Sequence, residues 1–233
     1  MRKLLLLPLI FCLVASARPA QQSKIEIPQN TQPPKFDPGN LHMAVTKLNI
    51  VVAKNDIGCL FQSNCKIDIL LPDNQVLSKI AVNGTKGTGT LQSTSTKCES
   101  NSPAAGMYVY QYTVKLTDWQ ANSGKAPTFT SFTINFGPIV DTLDFNGDGK
   151  KGDQVFVSKN GLGTIVPSEA IYDGTSITFK FNNPTLSGGG AFSKGQSTFF
   201  FGLVSKHPPR TVGVRAVVNE STGINLSARA PNF

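Results

Sequence analysis

The chain has 233 residues, 39% of them hydrophobic, and a formal net charge of +8 at pH 7. Its basic residues are scattered rather than gathered on one stretch, so a nucleic-acid surface is not expected. The length is enough to bury a sizeable core as one large domain.

Residues 1–17 follow the order of an export signal. Arg2 and Lys3 precede an apolar run from Leu4 to Val14, and Ala15-Ser16-Ala17 supplies the small residues that a signal peptidase accepts. That run is eleven residues long, against the roughly 20 needed to span a bilayer. It reads as a cleaved signal, and no second apolar stretch approaches membrane length. Cleavage removes Arg2 and Lys3, so the formal charge falls from +8 to +6 (8 − 2). The mature protein is therefore expected outside the cytoplasm, as a secreted, periplasmic or extracellular protein.

Residues 18–43 are rich in Pro, Gln, Asn and Lys and show no apolar period, which predicts an extended leader. From residue 44 the pattern changes to short β-like runs separated by turn residues. Leu48 to Ala53, Ile67 to Leu71, Val76 to Val82 and Gly89 to Thr96 are the first of them, with Asp73-Asn74 and Asn83-Gly84 as turns. Met107 to Leu116 alternates strictly, with Tyr108, Tyr110, Tyr112, Val114 and Leu116 on one face. Phe132, Ile134 and Phe136 repeat the alternation, as do Ile177, Phe179 and Phe181, and then Val212, Val214, Ala216 and Val218. Thr198 to Val204 is apolar on both faces, which suits a central strand. No window carries a helical period. The expected fold is all-β over residues 44–233, a single β-sandwich or jelly-roll-like domain of about ten strands.

One local stretch carries chemistry. The chain has 14 carboxylates, and Asp141, Asp144, Asp148 and Asp153 fall within thirteen residues of one another. Calcium requires six to eight oxygen ligands converging from a tight loop. Asp144, Asn146 and Asp148 stand at the first, third and fifth positions of such a loop, Gly149 at the sixth, and the Lys150 carbonyl at the seventh. This stretch resembles the D-x-N-x-D-G calcium loops of EF-hand and dockerin modules. It is more similar to the D-x-N-G-D-G-x-x-D loops that join strands in integrin-type FG-GAP repeats, because Ile139 to Phe145 and Gln154 to Ser158 also read as strands. The resemblance implies a structural Ca2+ held by Asp144, Asn146, Asp148, the Lys150 carbonyl and Asp153, with Asp141 as a further ligand. Asp153 closes the loop one residue later than in the FG-GAP pattern, and Val155 stands where an EF-hand has its bidentate acid. The other reading of the same residues is an Asn-Gly/Asp-Gly turn, where both residue pairs tolerate positive φ.

Three cysteines lie beyond the signal, and Cys59 with Cys65 would close a small disulfide loop in an oxidising compartment. Cys98 could pair with either instead, and spacing does not choose. Trp119 is the candidate for an exposed aromatic contact with a ligand, while the tyrosines of Tyr108 to Tyr112 share a face with Val114 and Leu116 and read as core. Nucleophilic catalysis has little to work with: His42 and His207 lack a Gly-x-Ser-x-Gly elbow elsewhere in the sequence. A glycosidase-type acid pair would have to come from Glu99 or Glu169 with Asp118 or Asp173. Asn83, Asn219 and Asn225 head Asn-x-Ser/Thr triplets, in the number that chance alone supplies.

The expectation is thus a secreted, non-enzymatic, calcium-stabilised β-sandwich that acts in binding, adhesion or matrix structure, with a glycan or cell-surface polymer as partner. The alternative is a secreted polysaccharide hydrolase using a carboxylate pair.

Overall fold

The structure is a computed structural model that describes residues 45–64, 74–159, 163–190 and 193–233. The expected export signal, the leader and the strand read at Ile67 to Leu71 lie outside the described residues.

Fifteen strands form among the described residues. They are β1 (Thr46–Leu48), β2 (Ile50–Val52), β3 (Gln75–Ile80), β4 (Thr85–Lys86), β5 (Gly89–Lys97), β6 (Tyr108–Lys115), β7 (Gln120–Ala121), β8 (Thr128–Asn135), β9 (Val155–Ser158), β10 (Glu169–Tyr172), β11 (Ser176–Lys180), β12 (Leu186–Ser187), β13 (Phe200–Ser205), β14 (Pro209–Val218) and β15 (Thr222–Pro231). A single turn of 3-10 helix, η1 (Ile57–Leu60), follows β2. Five strands (β1, β2, β4, β7 and β12) have only two or three residues. Runs that short cannot show a period of two, which is why the sequence suggests fewer strands.

The strands form two large sheets and one small one. The first sheet runs β1-β10-β11-β8-β14-β15, with β12 also on β8; the second runs β2-β9-β13-β6-β5-β3; β4 and β7 pair alone. Every ladder is antiparallel except β2 with β9. One continuous stretch, Thr46 to Val52, supplies an edge strand to each sheet and changes sheets at Asn49. On the opposite side, serines of the second sheet cover the edge of β15. Ser78 Oγ donates to the Ser227 carbonyl and accepts from its N–H, both at 2.8 Å, and the Arg229 N–H donates to Ser93 Oγ at 2.9 Å. Bonds of this kind satisfy edge groups that would otherwise invite pairing with another molecule.

The alternation read in the sequence becomes the main core. Tyr112 of β6 lies 5.9 Å from Phe132 of β8 and 6.0 Å from Phe179 of β11, and Phe179 lies 5.0 Å from Phe201 of β13. These ring contacts bridge the two sheets, so the fold is a sandwich. Burying each such phenylalanine contributes about 1.5–3 kcal/mol. The tyrosines are core residues with a polar tip: Tyr110 Oη donates to the His207 carbonyl at 2.7 Å and Tyr112 Oη to the Arg229 carbonyl at 2.8 Å. Buried tyrosine hydroxyls ordinarily find such partners.

A second apolar cluster lies on the other face of the second sheet. Val109, Phe156 and Val204 project there, opposite in register to the inward Tyr110, Val157 and Leu203, and meet Ile57, Leu60, Phe61, Cys98, Ala104, Leu143 and Phe145. On the same face Gln111 is buried beside Gly202 and Phe156, and Thr113 is buried against Thr198, its Oγ1 lying 3.3 Å from Thr198 Oγ1. The second cluster makes β13 a central strand buried on both faces, as its sequence predicts.

Ile139 to Phe145 is not a strand. Leu143 alone forms a bridge there, exchanging N–H···O bonds with Asp153 at 3.1 and 3.0 Å. Leu143 and Phe145 anchor the second cluster, Val140 packs against the main core and Ile139 is exposed, and the backbone is directed into the acidic loop.

Candidate functional site

Two elements fix the acidic loop. The Lys54 N–H, just after β2, donates to the Phe145 carbonyl at 3.0 Å, and Asn49 is bonded to the loop exit at Gln154. Leu143 and Phe145 are buried below it. The loop therefore sits on the roof of the second sheet, held at both ends.

Within it the acidic side chains are turned onto backbone N–H groups. Asp144 Oδ1 accepts from Gly147 at 2.8 Å and Asp148 at 3.0 Å, and its Oδ2 accepts from Gly149 at 2.9 Å. Asn146 Oδ1 accepts from Asp148 at 2.9 Å, and Asp148 Oδ1 from Lys150 at 2.8 Å. Asp153 is buried and its Oδ2 accepts from Phe145 at 2.9 Å and Asn146 at 3.2 Å. The Lys150 carbonyl accepts from Gly152 at 3.0 Å. Gly147 and Gly149 have φ of +83° and +86°, the left-handed values that glycine permits. Asp141 is directed elsewhere, accepting from the Lys206 N–H at 3.0 Å.

The structure thus brings Asp144, Asn146, Asp148 and Asp153 into one loop and gives each a turn-stabilising bond. Among the described residues no three His, Cys, Asp or Glu side chains gather as a group that could hold a metal ion. A carboxylate oxygen bonded to one N–H keeps a second lone pair, so these bonds do not by themselves bar a cation.

Trp119 corrects an expectation. It is fully buried, and its Nε1 donates to Thr85 Oγ1 at 2.9 Å. The β4–β7 pairing brings Thr85 over it, and its ring belongs to the main core. No ring face is open to a ligand. The signal that Trp119 would be covered lies in the tertiary pairing of two two-residue strands, which the sequence does not announce.

Of the four acids read as a possible hydrolase pair, Asp118 is exposed, and Glu99, Glu169 and Asp173 are tied into the scaffold. Glu169 is bridged by Lys47 at 3.1 Å and Lys180 at 3.3 Å, and both lysines hold its carboxyl below the usual range. Glu99 accepts from the Ser63 N–H at 2.7 Å, and its bonding to Ser63 lowers it as well. Asp173 accepts from Ser176 at 2.7 Å and Thr175 at 3.0 Å, and these N–H groups likewise lower it. Glu169 opens β10 and Asp173 directly follows its last residue, which puts them roughly 13 Å apart along an extended chain at about 3.3 Å per residue. A glycosidase pair stands about 5–9.5 Å apart and includes an acid with a raised pKa.

Two surface depressions stand out. One, of about 580 Å³, runs beside the edge strand β2 and is lined by Ile50, Val52, Val157, Val166, Ser168 and Asn182. Another, of about 330 Å³, lies at the β4–β7 end between Asn83, Lys125, Asn219 and Glu220. Cys98 is a free, buried thiol, and Cys65 lies outside the described residues. No helix of the described residues is long and apolar enough to cross a membrane.

No family model, no curated protein and no solved structure matches this sequence.

Proposed function

We propose that the protein is an exported, non-enzymatic β-sandwich module that acts in binding, adhesion or matrix structure, with a glycan or cell-surface polymer as its partner. The observation that carries this reading is the state of its acids. Glu99, Glu169 and Asp173 are all held in the charged form by scaffold bonds, whereas a hydrolase needs one carboxyl kept protonated to act as acid. The alternative, a polysaccharide hydrolase, has no acid among these three in that condition.

The binding surface favoured by this reading is the groove beside β2. Its apolar floor and its Ser168, Asn182 and Asn183 rim suit the mixed apolar and hydroxyl faces of a saccharide. Titration with a panel of oligosaccharides tests it. Binding that is lost in Val52→Asp, an exposed position, supports the groove; release of reducing sugar from the same panel would establish the hydrolase instead.

Two further parts of the proposal concern stability. A structural Ca2+ at Asp144, Asn146, Asp148, the Lys150 carbonyl and Asp153 is supported by the ligand spacing and the density of acids. Its test is thermal melting with calcium against EDTA. An identical midpoint in both, with no calcium-dependent effect of Asp148→Ala, sinks the site. A Cys59–Cys65 disulfide is supported by Cys98 being free and buried, which removes the competing pairings. Export by the first seventeen residues is tested by the N-terminal sequence of the mature protein, expected to start at Arg18.

A further inference from the structure

Two Asn-Gly steps occur among the described residues, Asn83-Gly84 and Asn146-Gly147. Such steps are reactive because glycine leaves the backbone nitrogen after the asparagine uncrowded. That nitrogen attacks Cγ of the asparagine, and the new N–Cγ bond closes a succinimide ring. The carboxamide Cγ–Nδ2 bond breaks and ammonia leaves with the displaced proton. Water then opens the ring to aspartate or isoaspartate. The glycine nitrogen has to shed its proton and the carboxamide has to turn, so hydrogen bonds at either group oppose the reaction.

At Asn146 both groups are held. The Gly147 N–H donates to Asp144 Oδ1 at 2.8 Å, and Asn146 Oδ1 accepts from Asp148 at 2.9 Å. The neighbouring Asp148-Gly149 step is guarded in the same way, its Gly149 N–H donating to Asp144 Oδ2 at 2.9 Å.

At Asn83 neither group is held. Among the described residues the only hydrogen bond to this pair reaches the Gly84 carbonyl, from the Asn122 N–H at 3.0 Å. Asn83 is exposed, Gly84 has φ +83°, and no atom lies within 4 Å of where a Cβ would stand on it. The turn is thus exposed, and no residue beyond its chain neighbours crowds Gly84.

We infer that Asn83 is a site of spontaneous deamidation, and that Asp144 protects Asn146 from the same reaction. The product places a new carboxylate in the depression it shares with Lys125 and Glu220, which form an ion pair at 3.7 Å. That end of the molecule therefore gains negative charge with age, irreversibly and without an enzyme.

The test is incubation of the full-length protein in mildly alkaline buffer, followed by tryptic peptide mapping with isoaspartate detection. The peptide Ile80–Lys86 is expected to accumulate aspartate and isoaspartate. The peptide carrying Asn146 is expected to lag by about tenfold or more, the scale set by a hydrogen bond to a charged acceptor that must first open. Similar rates at the two sites, or no change at Asn83, would overturn the inference. Asp144→Ala should accelerate Asn146 and leave Asn83 unchanged; an unaltered Asn146 rate refutes the protective role. Asn83→Gln should abolish the change in its own peptide.

Discussion

Asn49 and Gln154 each bond the other's backbone through their side chains. The Asn49 N–H donates to Gln154 Oε1 at 3.1 Å, and the Gln154 N–H donates to Asn49 Oδ1 at 2.8 Å. The Asn49 carbonyl takes the Val155 N–H at 3.1 Å, and its Nδ2 reaches Asp153 Oδ1 at 3.4 Å. The pair sits where the backbone passes from the first sheet to the second, and it ties that crossing to the exit of the acidic loop.

Because the two side chains form one unit, their contributions should not add. Asn49→Ala and Gln154→Ala are each expected to cost about 0.5–1.5 kcal/mol. The double variant should cost less than the sum by about 0.5 kcal/mol or more. Urea unfolding of the four proteins measures this, and strict additivity would show that the reciprocal bonds are not coupled.

Trp119 is the only tryptophan in the sequence, so its emission reports one site. Being fully buried, it should emit at short wavelength and resist quenching by iodide, then shift to the red on unfolding. Trp119→Phe keeps an aromatic ring but leaves Thr85 Oγ1 without its donor, and is expected to cost about 1 kcal/mol. Strong quenching of the native protein would contradict the burial.

The acidic loop separates structural bonding from cation binding. Asp153 is buried and accepts two backbone N–H bonds, whereas Asp148 is exposed and accepts one. In EDTA, Asp153→Ala is expected to destabilise by about 2–3 kcal/mol and Asp148→Ala by less than about 1 kcal/mol. A calcium site would add a loss at Asp148 seen only with calcium present. Equal costs for both variants in EDTA would contradict this difference in bonding.

Stability should fall at both ends of the pH range. At the acid end, Glu99, Glu169 and Asp173 have folded pKa values below their usual ones. Their contribution is complete above the ordinary carboxylate range of about 4 and is lost as pH falls through the lowered values. At the alkaline end, burial pushes the Cys98 thiol from 9.0 up to about 12 and also raises Tyr110 and Tyr112. The unfolded protein ionises these groups first, so stability is complete below about pH 9 and declines from there toward pH 12. Chemical denaturation across pH tests the profile. Slow labelling of Cys98 by a thiolate reagent near pH 8, fast only after unfolding, tests the buried thiol.

Much of the strand pattern is visible in the sequence. Tyr108 to Leu116, Phe132 to Phe136 and Val212 to Val218 alternate because one face of each strand must meet the core, and the core residues are those alternate positions. β10 and β15 are harder to see. Glu169 to Tyr172 is too short to show a period, and Thr222 to Pro231 alternates with small Ala228 and Ala230 rather than bulky residues. The stretch from Ile139 to Phe145 misleads in the other direction, because residues that anchor a loop on an apolar roof look like residues of a strand.

Local chemistry is enough to make this an all-β protein, to select the residues that face the main core, and to bend Asp144 to Asp153 into a tight glycine-dependent loop. Period-two burial, turn residues, and side-chain oxygens within reach of nearby N–H groups are all written in short stretches of sequence. The enclosure of Trp119, the covering of β6 on both faces, and the binding of Glu99 and Glu169 into the scaffold arise only once the strands have assembled, whereas Asp173 is held by its near neighbours Thr175 and Ser176. Trp119 and Glu169 depend on partners distant in sequence, Thr85 for the one and Lys47 for the other. Local spacing carries no record of such partners, since burial and pairing are set by which strands become neighbours.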